Sequence, residues 1–393
     1  MIKIIPGFIL FSLLLAACNT SQNNSPNQIP QEMSEYSEPI ILEDTERPKN
    51  IILMIGDGMG LTQLTAGMYV NNNQLYLEEF PVVGLHKSYS SDNLVTDSAA
   101  GATAFSAGRK TYNGAIGVDP DTTSLYTILE EAEDHDMATG LVSTSTIVHA
   151  TPASFIAHQP QRSMYEAIAA DFLETEIDLF IGGGKKYFDR RKDDRNILEE
   201  LAAKGYQVSS YFEQKLIDFR PNPVKNMAFL TSDSDPLTYE QGRTYLKPAS
   251  KMACDFLAKR GAQDGFFLMI EGSQIDWGGH ANNTNYIITE MIDFDNSIGA
   301  VLEFAKADGN TLVIVTADHE TGGFAINPGS TQDSIIGAFT SDYHTAALIP
   351  VFAYGPGAEL FAGIYENTAI YHKMRQAYGF GEIAGGKWWI ILY

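Results

Sequence analysis

Cysteine is nearly absent: Cys18 and Cys254 are the only two in 393 residues. So few thiols exclude a disulfide scaffold, and stability must come from a hydrophobic core and from ligands. Basic residues are scarce too, with 26 Lys and Arg against 49 Asp and Glu and a formal net charge of −23. That balance excludes a nucleic-acid or anionic-lipid surface, since both need a basic footprint. Internal repeats are missing, and the apolar run at the start, ending at Ala17, is too short to span a bilayer comfortably. What is present is a chain with 44% hydrophobic residues and only 19% charged ones. It is long enough for one large or two ordinary domains with a filled core.

The N-terminus, "MIKIIPGFILFSLLLAACNTS", has a short basic start at Lys3, an apolar stretch to Ala17 and small residues before Cys18. It resembles a bacterial lipoprotein signal, residues 1–17, with cleavage before Cys18 and a lipid on that thiol. The expectation is an exported protein, periplasmic or on the outer membrane of a bacterium, touching membrane only through the lipid. An ordinary secretory signal is the alternative. Residues 18–48, rich in Asn, Ser, Gln, Pro and Glu, read as a disordered tether. Residues 49–393 read as the folded domain.

From Asn50 the pattern alternates apolar strand, polar turn and helix. "NIILMIGD" is a near-continuous β-branched run, the mark of a strand buried on both faces, and "ATGLVSTST", "DLFIGGG", "GFFLMIEG", "TLVIVTAD" and "IPVFAYGPG" have the same character. "SLYTILEEAEDHD" and "NTNYIITEMIDFDNSIGAVLEFAKADG" lie between them as helices. The expected fold is α/β: a central, mostly parallel sheet flanked by helices on both faces, a three-layer sandwich. Ligands in such folds bind beyond the carboxyl ends of the strands, where Asp57, Glu271 and Asp318 all fall.

Five segments carry candidates for chemistry. Asp57 opens the glycine-rich turn of "IGDGMG", and in "VTDSAAGATAFSAGRKT" Thr96 or Asp97 can cap a helix whose first turn holds Ser98. A helix N-terminus favours an anion, and the small residues leave Ser98 approachable. "VHATPASFIAHQPQR" supplies His149, Thr151 and Arg162. Pro152 disfavours helix at Thr151, which would free that hydroxyl, and Arg162 offers a fork for two phosphate oxygens. "EGSQIDWGGHANN" supplies Glu271, Asp276 and His280; "TADHETGGF" supplies Asp318 and His319, and "SDYHTAALIP" adds His344.

Taken singly, each has a plain reading as a turn, a cap or a surface residue. Four carboxylates and three imidazoles at strand ends need compensation, from cationic side chains, water or metal. Imidazole with carboxylate is a zinc-type set. The count suggests two transition-metal positions and a harder oxygen site for magnesium at Glu271 and Thr151.

These motifs, in this order, are similar to those of the alkaline phosphatase family, and the likeness runs from about Asn50 to about Met374. The compact, cold-adapted bacterial members are the nearest in character. The resemblance implies a phosphate monoesterase acting on small phosphate monoesters, with two Zn2+ and one Mg2+. It implies that Ser98 is the nucleophile and that Arg162 clamps the phosphate. Asp276, His280 and His344 would hold the zinc that activates water, and Asp57, Asp318 and His319 the zinc on the Ser98 oxygen. Asp57, Thr151 and Glu271 would hold magnesium. His149 and Trp277 stand where some bacterial members have Asp and Lys, so both are expected beside the ligands and the substrate. A homodimer is common in the family. A phosphodiesterase of the same superfamily is the alternative activity. A sulfatase would need a C/S-x-P-x-R context, which "DSAAGA" is not, and a non-catalytic metal-binding lipoprotein would need no nucleophile.

Overall fold

The computed structural model describes Leu42, Glu43 and residues 46–381. The expected signal, Cys18, most of the tether and residues 382–393 lie outside the described residues. Along the chain run β1 (Asn50–Gly56), β2 (Val82–Lys87), β3 (Ala138–Thr146), β4 (Leu179–Gly183) and β5 (Gln207–Ser210). Then come β6 (Met227–Leu230), β7 (Phe266–Gly272), β8 (Thr311–Thr316), β9 (Glu320–Thr321) and β10 (Ala325–Ile326). β11 (Gly337–Ala338), β12 (His344–Thr345), β13 (Leu348–Tyr354) and β14 (Gly363–Glu366) complete the set. Ten of them form one sheet in the order β14-β2-β13-β8-β1-β7-β3-β4-β6-β5. Only β13 runs antiparallel to its neighbours, β8 and β2. The apolar run of β13 looks like that of the parallel strands, because burial leaves no trace of direction.

Continuous apolar strands follow from burial on both faces, and β1, β3, β4, β7 and β8 are buried at every position. One face packs the helices Ser98–Ala107, Ile128–Asp134 and Ala369–Tyr378 over Ile51, Leu53, Phe267 and Leu141. The other packs Leu61–Val70, Leu246–Arg260 and Thr284–Asp308 over Ile52, Met54, Leu268 and Val142. Three layers result, as the alternation of elements predicts. Helix ends follow their caps. Asn283 accepts from the amides of Asn285 and Tyr286, and Gly309 at φ 74° closes the same helix. "SLYTILEEAEDHD" becomes helical only from Ile128, because Thr127 and Glu130 form a capping box there.

The helix Thr284–Asp308, which packs against the site-bearing helix Gln274–His280, carries a buried ion cluster. Arg243 lies 2.6 Å from both Glu290 and Asp293, with all three side chains almost wholly enclosed. Arg243→Met should therefore cost about 3–5 kcal/mol by leaving two carboxylates unpaired. Urea unfolding measures this, and a loss below about 1 kcal/mol would refute the account.

Candidate functional site

Asp57 follows β1, Glu271 is the penultimate residue of β7, and Asp318 lies two residues past β8. Ile55 of β1 stands in register with Glu271 on one side and Thr316 on the other. Three neighbouring strands thus deliver carboxylates to one carboxyl edge of the sheet. Gly58 makes this possible. At φ +73° a Cβ would fall 2.6 Å from the Asp276 Cα, so backbone packs on backbone.

Ser98 is the first residue of its helix, and Asp97, not Thr96, is the cap. Asp97 Oδ1 accepts from the Ala100 amide at 3.0 Å, while Oδ2 accepts from the Arg162 guanidinium at 2.9 Å. One carboxylate therefore caps the helix and holds Arg162 beside its N-terminus. Every residue from Ser98 to Ala107 is buried, and Gly101 lets the helix lie on Asp318, 3.0 Å from where a Cβ would reach.

Two sets of donor atoms converge. His319 Nε2 lies 3.1 Å from Asp318 Oδ2, 3.2 Å from Ser98 Oγ and 3.6 Å from Asp57 Oδ1. In the second set, His280 Nε2 lies 3.1 Å from His344 Nε2 and 3.4 Å from Asp276 Oδ2. His344 Nε2 is 3.5 Å from Asp276 Oδ1. Donors about 2.0–2.1 Å from a tetrahedral ion lie about 3.3 Å from one another. Both sets have that spacing.

The imidazoles are turned by their other nitrogens. His280 Nδ1 donates to the Asp342 carbonyl at 2.6 Å, and His344 Nδ1 donates to the Thr96 carbonyl at 2.8 Å. His319 Nδ1 meets Thr321 Oγ1 at 3.2 Å, and that hydroxyl donates onward to Asp276. A carbonyl can only accept, so Nε2 of His280 and of His344 is the nitrogen left for the cluster.

A third group brings Asp57, Glu271 and His149 together, with one ligand atom of each within 4.8 Å of the others. His149 is thus a candidate ligand in its own right, closer in than a neighbour of the site. Its ring stands edge-on to Trp277 at 6.1 Å and reaches the Arg162 guanidinium at 3.5 Å. Burial, then the Arg162 charge, pushes the His149 pKa down to about 3, so the ring is neutral and able to coordinate. Thr151 corrects an expectation. Pro152 does not keep it out of a helix: Ala150–Ala153 is a helical turn with His149 as its cap. Pro152 is tolerated there because first-turn amides have no intrahelical partner. The Thr151 hydroxyl still lies beside the Glu271 carboxyl and favours its charged form.

The side chains fit cations, on their own evidence. Both oxygens of Asp57, Asp318 Oδ2, Glu271 Oε1, Thr151 Oγ1 and His149 Nδ1 are buried without hydrogen-bond partners. Burial raises the Asp57 pKa well above the usual carboxylate range, and the charges of Asp318, Asp276 and Glu271 add to the rise. Glu271 is pushed up to about 8, by burial first. Buried carboxylates crowded this closely need positive charge, and Arg162 is already paired with Asp97.

The match to known proteins decides what this centre belongs to. The family model for alkaline phosphatase matches residues 48–338. The chain is 38% identical over 366 residues to alkaline phosphatase 3 of Bacillus subtilis, covering 89% of this chain and 75% of that one. This chain belongs to the alkaline phosphatase family. It is a phosphoric monoester hydrolase of a metal-dependent family. Against the alkaline phosphatase of Escherichia coli K12 it is 32% identical over 407 residues, covering 84% of this chain and 86% of that one. The solved alkaline phosphatase of the Antarctic bacterium TAB5 superimposes with a TM-score of 0.79 at 46% identity, covering 86% of this chain and 99% of that one. A histidine-to-aspartate variant of the TAB5 enzyme, with the same TM-score at 45% identity, holds Mg in its M3 site.

Sequence reading missed several parts of this alkaline phosphatase's site. Asp97 is visible as a cap, but its grip on Arg162 spans 65 positions and no local pattern marks it. The carbonyls of Thr96 and Asp342 leave no trace, since every residue has a carbonyl. Thr321 stands two residues past His319 in "TADHETGGF", and its hydroxyl alternating with the ligands is the local signal.

Proposed function

We propose that this enzyme hydrolyses small phosphate monoesters to an alcohol and inorganic phosphate through a phosphoserine at Ser98, with two zinc ions and one magnesium ion. The observation that carries the reading is the convergence of Ser98 Oγ, Asp57 and Asp318 on His319 Nε2 within 3.6 Å. A serine oxygen has no reason to complete a donor set of that spacing unless it is meant to be deprotonated there. Asp57, Asp318 and His319 would hold one zinc, and Asp276, His280 and His344 the other. Glu271, Thr151 and Asp57, with His149 alongside, would hold magnesium. Bound together, these ions lower the pKa of the serine and of water and screen the negative charge of the phosphoryl group.

The chain's own residues do the rest. Ser98 Oγ forms a bond to phosphorus as the ester oxygen leaves with its electron pair. Arg162, fixed by Asp97, forks two of the nonbridging oxygens, and the helix N-terminus at Ser98 adds backbone N–H dipoles. Water then attacks the phosphoserine from the vacated side, and the P–Oγ bond breaks with its electron pair left on Ser98. The proton shed by water returns to that oxygen, and two inversions give retention at phosphorus.

Charge favours a monoester over a diester. Five carboxylates (Asp57, Asp97, Glu271, Asp276 and Asp318) meet Arg162 as the guanidinium among them. Three divalent ions would more than offset that charge, and a monoester dianion meets the surplus more strongly than a diester, which carries a single charge and offers Arg162 fewer free oxygens. Export with a lipid on Cys18 is part of this proposal, supported by Lys3, the apolar stretch and "LLAAC".

The test is hydrolysis of p-nitrophenyl phosphate and bis-p-nitrophenyl phosphate at alkaline pH by protein loaded with zinc and magnesium. The monoester should be preferred by at least about a hundredfold in kcat/KM, a gap of roughly 2.7 kcal/mol in transition-state binding. Equal rates would move the assignment to a diesterase. No turnover with metal bound would leave only a binding protein.

A further inference from the structure

Two large apolar side chains stand exposed on the segments that hold His344. Tyr343 precedes it, is 47% exposed, and stacks on the His344 ring at 4.4 Å and 6°. His344 in turn stacks on His319 at 3.5 Å and 15°, so three rings lie in one pile beside Ser98. The inner face of Tyr343 is covered by imidazole, and the residue stays half open to solvent. Leu94, 72% exposed, lies two residues before Thr96, whose carbonyl anchors His344 Nδ1. The Tyr343 hydroxyl also lies within reach of the charges of Asp97, Arg162 and Asp276.

Exposed rings are common on this surface, and Tyr343 is set apart by its stack on a ring of the donor cluster. The Gly322 amide donates to the Tyr343 carbonyl at 2.9 Å, and the Tyr343 amide donates to Ser341 Oγ at 2.9 Å. The ring is therefore carried by a pinned segment, ready-made before any ligand arrives.

We infer that Tyr343 is a leaving-group subsite that favours phosphate monoesters of aromatic or other flat apolar alcohols. This inference rests on the monoesterase reading. In it, phosphate sits between Ser98 and Arg162, and the ester oxygen departs toward the His280 and His344 side, where Tyr343 waits. Tyr343 then sets specificity without touching the reacting atoms.

Binding of non-reacting analogues tests it in the zinc- and magnesium-loaded enzyme. Inhibition constants for phenylphosphonate, methylphosphonate and inorganic phosphate are compared in wild type, Tyr343→Ala and Tyr343→Phe, with bound zinc quantified in each. Loss of one aromatic stack should weaken phenylphosphonate by about three- to tenfold in Tyr343→Ala. Methylphosphonate and phosphate should move less than twofold, and Tyr343→Phe, which keeps the ring, should keep the discrimination. An equal loss for all three inhibitors, or a fall in bound zinc, would overturn the subsite and leave Tyr343 as a support for His344. No change for any of them would overturn it as well. A wild-type enzyme that cleaves no phosphate monoester at all would instead sink the underlying function.

Discussion

Ser98→Ala should abolish turnover, lowering kcat for p-nitrophenyl phosphate by about 10^4-fold or more while the protein stays folded. The size follows from what is removed. Ser98 Oγ lies 3.2 Å from His319 Nε2 at the N-terminus of its helix, beside the Arg162 that Asp97 holds. Alanine keeps the Cβ, fits among the small buried neighbours of Ser98–Ala107, and leaves the Asp97 cap in place. The loss is therefore chemical. Metal binding should survive, because Asp57, Asp318 and His319 remain, so the variant should bind zinc with no more than a modest change. Acid-quenched wild type should carry phosphate on the peptide containing Ser98, and the variant should carry none. A variant within tenfold of wild type would show that another group, or water acting directly, attacks phosphorus.

How far the sequence reached depends on the range of each interaction. Strands such as "ATGLVSTST" and "GFFLMIEG" appear within a residue of their place, because strands buried on both faces are rich in β-branched and aromatic residues and almost free of charge. β5 and β6 did not, being four residues each, too short for a periodic signal. Carboxylates at strand ends are legible because a core rejects them, and Asp57, Glu271 and Asp318 do share one sheet edge. What each carboxylate touches is set by sheet order, which crosses back over the chain. β1 lies between β7 and β8, more than 200 residues away. Thr151 shows the opposite failure: the local rule about proline was sound in general, but the first turn of a helix is its exception.

Stripping the metals should cost both activity and fold. Chelation should remove essentially all hydrolysis and lower Tm by about 10 °C, since each ion held far above its Kd adds several kcal/mol to the folded state. The direction follows from the buried carboxylates, for Asp57, Asp318 and Glu271 have oxygens with no hydrogen-bond partner. Without cations Asp57 and Glu271 can be relieved only by protons, whereas the neighbouring His319 holds Asp318 in its charged form. Burial holds Glu271 at about 8 against an ordinary 4.5, and Asp57 is raised for the same reason. Between those two values Glu271 holds more protons in the folded metal-free protein than in the unfolded chain, so its contribution to stability falls as pH rises. The lowered pKa values of His149 and His344 pull the other way below about 6.5. Above that range the carboxyls act without that opposition, and the metal-free protein should melt lower at pH 9 than at pH 7. Reloaded protein should lack that slope, because divalent ions then do the work of the protons. Thermal melts with and without chelator at both pH values give the answer. A metal-free Tm equal to the loaded one would mean that these carboxylates are already satisfied, and the reading of the cluster as a metal centre would fail with it.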